Sequence, residues 1–141
     1  RRPPRSTRKE SSAASDVYKR QGLECDRWNR LHPTMTAKQP WVEQILGSGT
    51  VPVIAVSDNM AAVPDMIRQW VGGHYTVLGT DGFGRSDTRE ALRQFFEIDG
   101  AAVALAALSS LVRDGSIDAS TYEKAEKEFG ISTEREDITE L

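Results

Sequence analysis

Residues 51–56, rich in β-branched side chains, and 74–78 are two short strand-like runs, and no other feature of this sequence restricts its fold as much. The first, bounded by Gly49 and Ser57, lacks polar alternation, the pattern of a strand covered on both faces. Between the runs, Met60, Val63, Ile67 and Trp70 repeat at intervals of three and four, the spacing of an amphipathic helix. Ser57 or Asp58 is placed to cap it. Pro64 interrupts, because its ring clashes with the carbonyl four residues back. The helix must either kink there or begin its regular part near Pro64. Gly72 and Gly73 then turn the chain into the second run. Strand, helix and strand within 28 residues is close to the size of a parallel crossover unit, which is right-handed in nearly all proteins. An α/β chain with a mostly parallel sheet and flanking helices is expected.

Helical patterns surround this unit. Leu23, Arg27, Trp28 and Leu31 fall at helical spacing, and Pro33 ends that element. A short helix is expected from Pro40, a favourable first-turn residue, through Trp41, Ile45 and Leu46 to a stop at Gly47. Downstream, Asp87 with Glu90 three residues later forms a capping-box-like start, and Ala91, Leu92, Phe95 and Phe96 form the buried stripe. Asp99 is expected to cap the next helix and Gly115 to end it. Asp118 caps the last, where Tyr122, Ala125 and Phe129 share a face and Gly130 supplies the stop. Residues 131–141 read as a frayed acidic tail. Two strands are too few to cover this many apolar helix faces, so the domain is expected to lack its beginning.

The 141 residues suffice for one domain with a hydrophobic core. Residues 1–21 differ in kind. They hold seven Lys or Arg against two acids, a local charge of +5, so with −3 for the whole chain the remainder stands at −8. Two prolines, four serines and only Val17 and Tyr18 as large apolar side chains offer too little burial to offset ordering. A basic arm for nucleic acid or acidic lipid is one reading of this segment, and a disordered, non-native tail is the other. The tail is favoured, since residues 11–21 resemble a peptide that arises when sequencing-adapter DNA is translated onto a gene fragment. The expected organisation is a tail over 1–21 and a partial domain over 22–141.

The acidic body repels phosphate backbones, so no nucleic-acid partner is expected. Cys25, the single cysteine, cannot form an internal disulfide, and no apolar run near the N-terminus has the form of a signal peptide, which fits a reducing cytoplasm. Residues 101–112, the most apolar stretch, fall short of the roughly 20 residues that a membrane-spanning helix needs. They are expected to form a buried core helix, with no membrane partner.

A glycine-rich loop, Gly79-Thr80-Asp81-Gly82-Phe83-Gly84-Arg85-Ser86-Asp87, follows the second strand and leads into a helix, where α/β folds bind anions. Arg85 adds a charge and Ser86 a donor, so Asp81, Gly82, Gly84, Arg85 and Ser86 are the candidate functional residues. Alternatively, the glycines only let the backbone turn, and Asp81 and Asp87 are turn and cap residues. Two carboxylates at a helix start oppose an anion. His32, before Pro33 at a helix end, could carry a proton near neutral pH, though such a histidine more often caps or packs. His74 is expected to be structural, and Asp26 beside Cys25 opposes a thiolate. Trp28, Trp41 and Trp70 each fall on an apolar helix face, for core or subunit contact. No catalytic residue or metal cluster is expected, since the two histidines stand far apart with no cysteine pair.

Three segments together resemble one family. They are residues 22–34, which open Gly22-Leu23-Glu24-Cys25-Asp26-Arg27-Trp28; then Val53-Ile54-Ala55-Val56-Ser57-Asp58-Asn59-Met60; and Val77-Leu78 with the glycine loop through Arg89. In that order and spacing they are similar to the last domain of the homodimeric-type pyruvate dehydrogenase decarboxylating component, first enzyme of the bacterial pyruvate dehydrogenase complex. The third segment is the most specific, since transketolases and the two-chain form of the enzyme do not carry it in this form. The resemblance implies a truncated three-layer transketolase C-terminal-like domain behind a disordered N-terminal tail. It also implies a full-length enzyme of three α/β domains that uses thiamine diphosphate with magnesium, decarboxylates pyruvate and passes the two-carbon unit to a lipoyl group. The implied partners are a second copy of the enzyme and the dihydrolipoyl acetyltransferase component. The Gly-Asp-Gly segment and paired asparagines that hold magnesium on the diphosphate have no counterpart in this sequence. The chain is therefore expected to be non-catalytic and to bind no cofactor itself, supporting the dimer and the active-site architecture. The rival is a stand-alone anion- or partner-binding α/β module.

Overall fold

The computed structural model describes residues 9–47, 49, 51–131 and 134. Its centre is a parallel pair, β1 (Val53–Val56) and β2 (Tyr75–Leu78), with Val53 opposite Tyr75 and Val56 opposite Leu78. Among the described residues the sheet has these two strands, as the strand-helix-strand pattern anticipates. Backbone bonds continue the pairing at both ends, from Val53 N–H to the His74 carbonyl (2.8 Å) and from Ser57 N–H to the Leu78 carbonyl (3.0 Å). β1 begins two residues later than expected, since Pro52 has no N–H for a ladder. Neither strand is enclosed on both faces. Only Tyr75 is buried, Val56 is exposed, and no third strand flanks the pair among the described residues.

Helix α5 (Gly100–Arg113) packs on both strands, and α6 (Ala119–Phe129) packs on α5. Asp99 caps α5 as expected, its Oδ1 accepting the Ala102 N–H at 2.8 Å. Gly130 takes φ +64° and ends α6. Asp118 occupies the N-cap of α6 without a side-chain bond, so that cap is positional only. The stretch Arg89–Arg113 has the length and apolar content of a membrane span. It is nevertheless two helices. α4 (Arg89–Phe95) stops, Glu97 turns at φ +55°, and Asp99 starts α5, which packs on both strands but buries only Leu105 and Ser110, so it is not the enclosed core helix expected.

The N-terminal side differs from expectation. Helix α1 spans Lys9–Leu31 without interruption, so Gln21 is not a structural boundary and the expected disorder does not extend to residues 9–21. No glycine or proline breaks residues 9–21, and Ala, Lys, Arg and Gln all favour helix. The C-terminal half of α1 docks on α2 (Trp41–Leu46) and α3 (Ala62–Asp65). Gln21 Oε1 accepts the Trp41 N–H at 2.8 Å, and Asn29 exchanges two bonds with the Lys38 backbone at 2.7 and 3.0 Å. In α2, Pro40 is the N-cap and Val42 points inward, while Trp41 and Ile45 are 51% and 68% exposed. Of the two roles expected for Trp41, core or subunit contact, this exposure leaves the contact surface.

The crossover is not one helix. α3 is a single turn, followed by a 3-10 turn at Arg68–Trp70. Pro64 falls in the first turn, where its missing N–H has no partner to lose. Neither Ser57 nor Asp58 caps α3: the N-cap is Ala61, and Ser57 Oγ instead accepts the Asn59 N–H at 3.0 Å. At α4 the cap is Thr88, one residue beyond Asp87, with Oγ1 accepting from Ala91 at 3.3 Å. Asp87 supports it by accepting the Thr88 N–H at 2.7 Å. The small core consists of Cys25, Val42, Trp70, Tyr75 and Leu105.

Candidate functional site

The glycine loop leaves β2 against the turn that leaves β1. Gly79 lies so close to that turn that a Cβ would come within 2.7 Å of Ala61 Cα and 2.8 Å of the Asn59 carbonyl oxygen. Thr80 fastens the approach, its N–H donating to the Asn59 carbonyl (3.0 Å) and its hydroxyl to the Asp58 carbonyl (3.1 Å). Both carboxylate oxygens of Asp81 accept the Ala61 N–H at 3.2 Å. Asp81 therefore supplies, from 20 residues away, the anchor for the start of α3 that local sequence lacks. Both its oxygens are engaged in that contact.

Beyond Asp81 the loop opens. Gly82 takes φ +102°, a conformation that favours glycine, but a Cβ at Gly84 would meet nothing within 4 Å. Phe83 between them is 85% exposed. Arg85 holds its guanidinium 4.0 Å from the Phe95 ring centre. A cavity of about 570 Å³ lies between the loop and α4, walled by Phe83, Arg85, Arg89, Leu92, Arg93 and Phe96. Of the expected loop residues, Gly82, Gly84 and Arg85 line it, and Asp81 and Ser86 do not. Ser86 borders a smaller hollow of about 300 Å³ with Arg85 and Phe95. Sequence reasoning missed Arg89 and Arg93. Their signal was the spacing of Arg85, Arg89 and Arg93 at intervals of four.

The other candidates are structural. His32 Nδ1 donates to the Trp28 carbonyl at 2.9 Å, and its ring stacks on Trp28 at 4.6 Å, closing the end of α1. His74 Nε2 lies 2.8 Å from Asp114 Oδ1, tying the entry of β2 to the end of α5. Cys25 is buried and accepts from Gln21 Nε2 at 3.1 Å. Trp70 is buried, its indole N–H donating to Asp26 at 3.0 Å, whereas Trp28 is half-buried under the Lys38 ammonium. Burial raises the Tyr75 hydroxyl above its usual pKa of 10.0, with Asp65 adding to the shift and Arg68 opposing it. That hydroxyl donates to the Pro64 carbonyl at 2.8 Å.

A magnesium diphosphate would need several carboxylate and amide oxygens converging on one point. Among the described residues no three His, Cys, Asp or Glu side chains group together in that way, and both Asp81 oxygens face a backbone N–H. These residues do not fit such a group.

The profile of the "Transketolase-like TK C-terminal domain" family matches residues 8–99. The chain is 49% identical over 118 residues to the pyruvate dehydrogenase E1 component of Pseudomonas aeruginosa, covering 83% of this chain and 13% of that protein. The corresponding component of Mycolicibacterium smegmatis is 47% identical over 112 residues, covering 79% of this chain and 12% of the relative. That of Escherichia coli is 39% identical over 136 residues, covering 90% and 15%. The chain thus spans between 12% and 15% of the length of these relatives. The family match takes in α1, both strands and the clamped loop, and on it the chain belongs to the transketolase-like C-terminal domain family.

Proposed function

We propose that this chain is part of the C-terminal domain of a pyruvate dehydrogenase E1 component, a cytoplasmic oxidoreductase subunit. Identity of 39–49% to three such components over most of the chain carries this reading. In the whole enzyme, thiamine diphosphate with magnesium would supply the carbanion chemistry that decarboxylates pyruvate. The acetyl unit would pass to the dihydrolipoyl acetyltransferase, and two copies would form the working dimer. This segment contributes no ligand to that chemistry. It holds architecture, through the Asp81 clamp and the docking of α1, around an active site formed by other residues.

A segment exchange tests the reading. Residues 22–131 replace their counterpart in the Pseudomonas aeruginosa relative, and pyruvate-dependent acetylation of its acetyltransferase is measured. Activity comparable to the parent is expected. A folded, dimeric chimera without activity would overturn the assignment. The chain on its own is expected neither to decarboxylate pyruvate nor to show saturable, magnesium-dependent binding of thiamine diphosphate in calorimetry.

A further inference from the structure

We infer that the cavity between the glycine loop and α4 binds a small organic phosphate, an oxyanion head attached to an apolar body. This goes beyond the proposed enzyme role and does not depend on it.

Charge placement comes first. Residues 22–141 carry a net −8, yet three of their eleven Lys and Arg side chains, Arg85, Arg89 and Arg93, line this one cavity. Among the described residues neither Arg89 nor Arg93 has an ion-pair partner, and Arg85 is held only by the Phe95 ring. Like charges one helical turn apart destabilise a helix unless an anion offsets them. Two carboxylates also line the cavity, those of Asp58 and Asp87. The Asp87 carboxylate is already committed to the Thr88 N–H at 2.7 Å, and Asp81, which the sequence placed against an anion, is turned away onto Ala61. The guanidinium groups therefore outnumber the carboxylates by three to two, and one carboxylate is partly neutralised.

Shape and apolar content come second. The volume of about 570 Å³ lies within the roughly 300–1,000 Å³ typical of small-molecule pockets. Phe83, 85% exposed, stands at the cavity with Leu92 and Phe96 on the wall, so an aromatic or aliphatic body has somewhere to lie. Arginines supplied by both the loop and the helix, with Arg85 also bordering the adjacent hollow beside Phe95, suit a tetrahedral phosphate better than a planar carboxylate, which one guanidinium fork satisfies.

The test uses the full chain and phenyl phosphate as probe, with binding followed by calorimetry and by amide chemical shifts at low salt. Saturable binding is expected, with shifts centred on Phe83 and Leu92. Arg89→Gln with Arg93→Gln should weaken it by roughly tenfold or more, while the paired lysine replacements keep part of it. Phe83→Ala should bring phenyl phosphate down to the affinity of inorganic phosphate. All three side chains are exposed, so circular dichroism should be unchanged. The shift map locates the site whether or not a variant folds. The inference is overturned if phenyl phosphate does not saturate, or if its shifts fall elsewhere. Undiminished affinity in the glutamine variant would also overturn it, as would binding of an oligoglutamate peptide in place of phenyl phosphate, which would mark a surface for acidic macromolecules.

Discussion

Asp81 does across the fold what a capping residue does locally. The carboxylate holds the Ala61 N–H at the start of α3, where local sequence puts alanine. Asp81→Ala leaves that N–H without its partner and should cost about 1 kcal/mol in urea unfolding. Asp81→Asn, which keeps an acceptor, should cost less. If alanine and aspartate unfold alike, the clamp contributes nothing. No local reading finds this contact, because Ser57 and Asp58 lie next to the helix and Asp81 comes beside it only after β1 and β2 pair. Tyr75 is the other residue with a measurable signature. Burial favours its neutral hydroxyl, so the folded pKa lies above the unfolded value of about 10. Its contribution to stability is complete below that value and is lost as pH rises through the folded pKa. Melting temperatures taken between about pH 9 and pH 11 should fall more steeply for the parent than for Tyr75→Phe. Parallel curves would show that Tyr75 is not the titrating group.

Elements were legible where one strong local signal decided them. The two strand-like runs gave parallel strands, Asp99 gave α5 its start, and Gly47 and Gly130 gave stops. They were less legible where weak signals competed. In residues 9–21 the scarcity of apolar side chains points to disorder while helix propensity points to the helix that forms, the N-terminal part of α1. The short α2 buries Val42 and leaves Trp41 half exposed, a choice between core and contact surface that six residues cannot fix. Gln21, once assigned to the tail, now has a test. Gln21→Ala should lower stability by about 1 kcal/mol through loss of the bond to Trp41, and an unchanged midpoint would mean that α1 docks without it. The glycine loop was half-legible for the same reason. Its glycines look alike in sequence but differ in place. Gly79→Ala forces a methyl into the Asn59–Ala61 turn and should cost about 1–3 kcal/mol. Gly84→Ala meets open space and should stay within about 0.5 kcal/mol. Equal losses at both positions would contradict the close approach at Gly79.

At the scale of the whole molecule, the apolar surface exceeds what the described fold covers. Among the described residues the buried hydrophobic core is limited to Cys25, Val42, Trp70, Tyr75 and Leu105, while Leu31, Met35, Trp41, Ile45 and Val51 are each more than half exposed. The sheet offers open edges on both sides of its single pair among the described residues, and unpaired edges invite association. On α2, Trp41 and Ile45 are one turn apart and both face outward, an apolar patch of the kind that marks a contact surface. The chain on its own should therefore self-associate as its concentration rises, seen as a growing sedimentation coefficient. Trp41→Lys with Ile45→Lys should shift the distribution toward monomer. Both side chains lie at the surface, so the melting temperature at low concentration should change little. If the double variant associates as strongly as the parent, the contact lies on the sheet edges instead. A parent that stays monomeric and unfolds cooperatively at every concentration would show that two strands and this small core suffice for a free-standing domain.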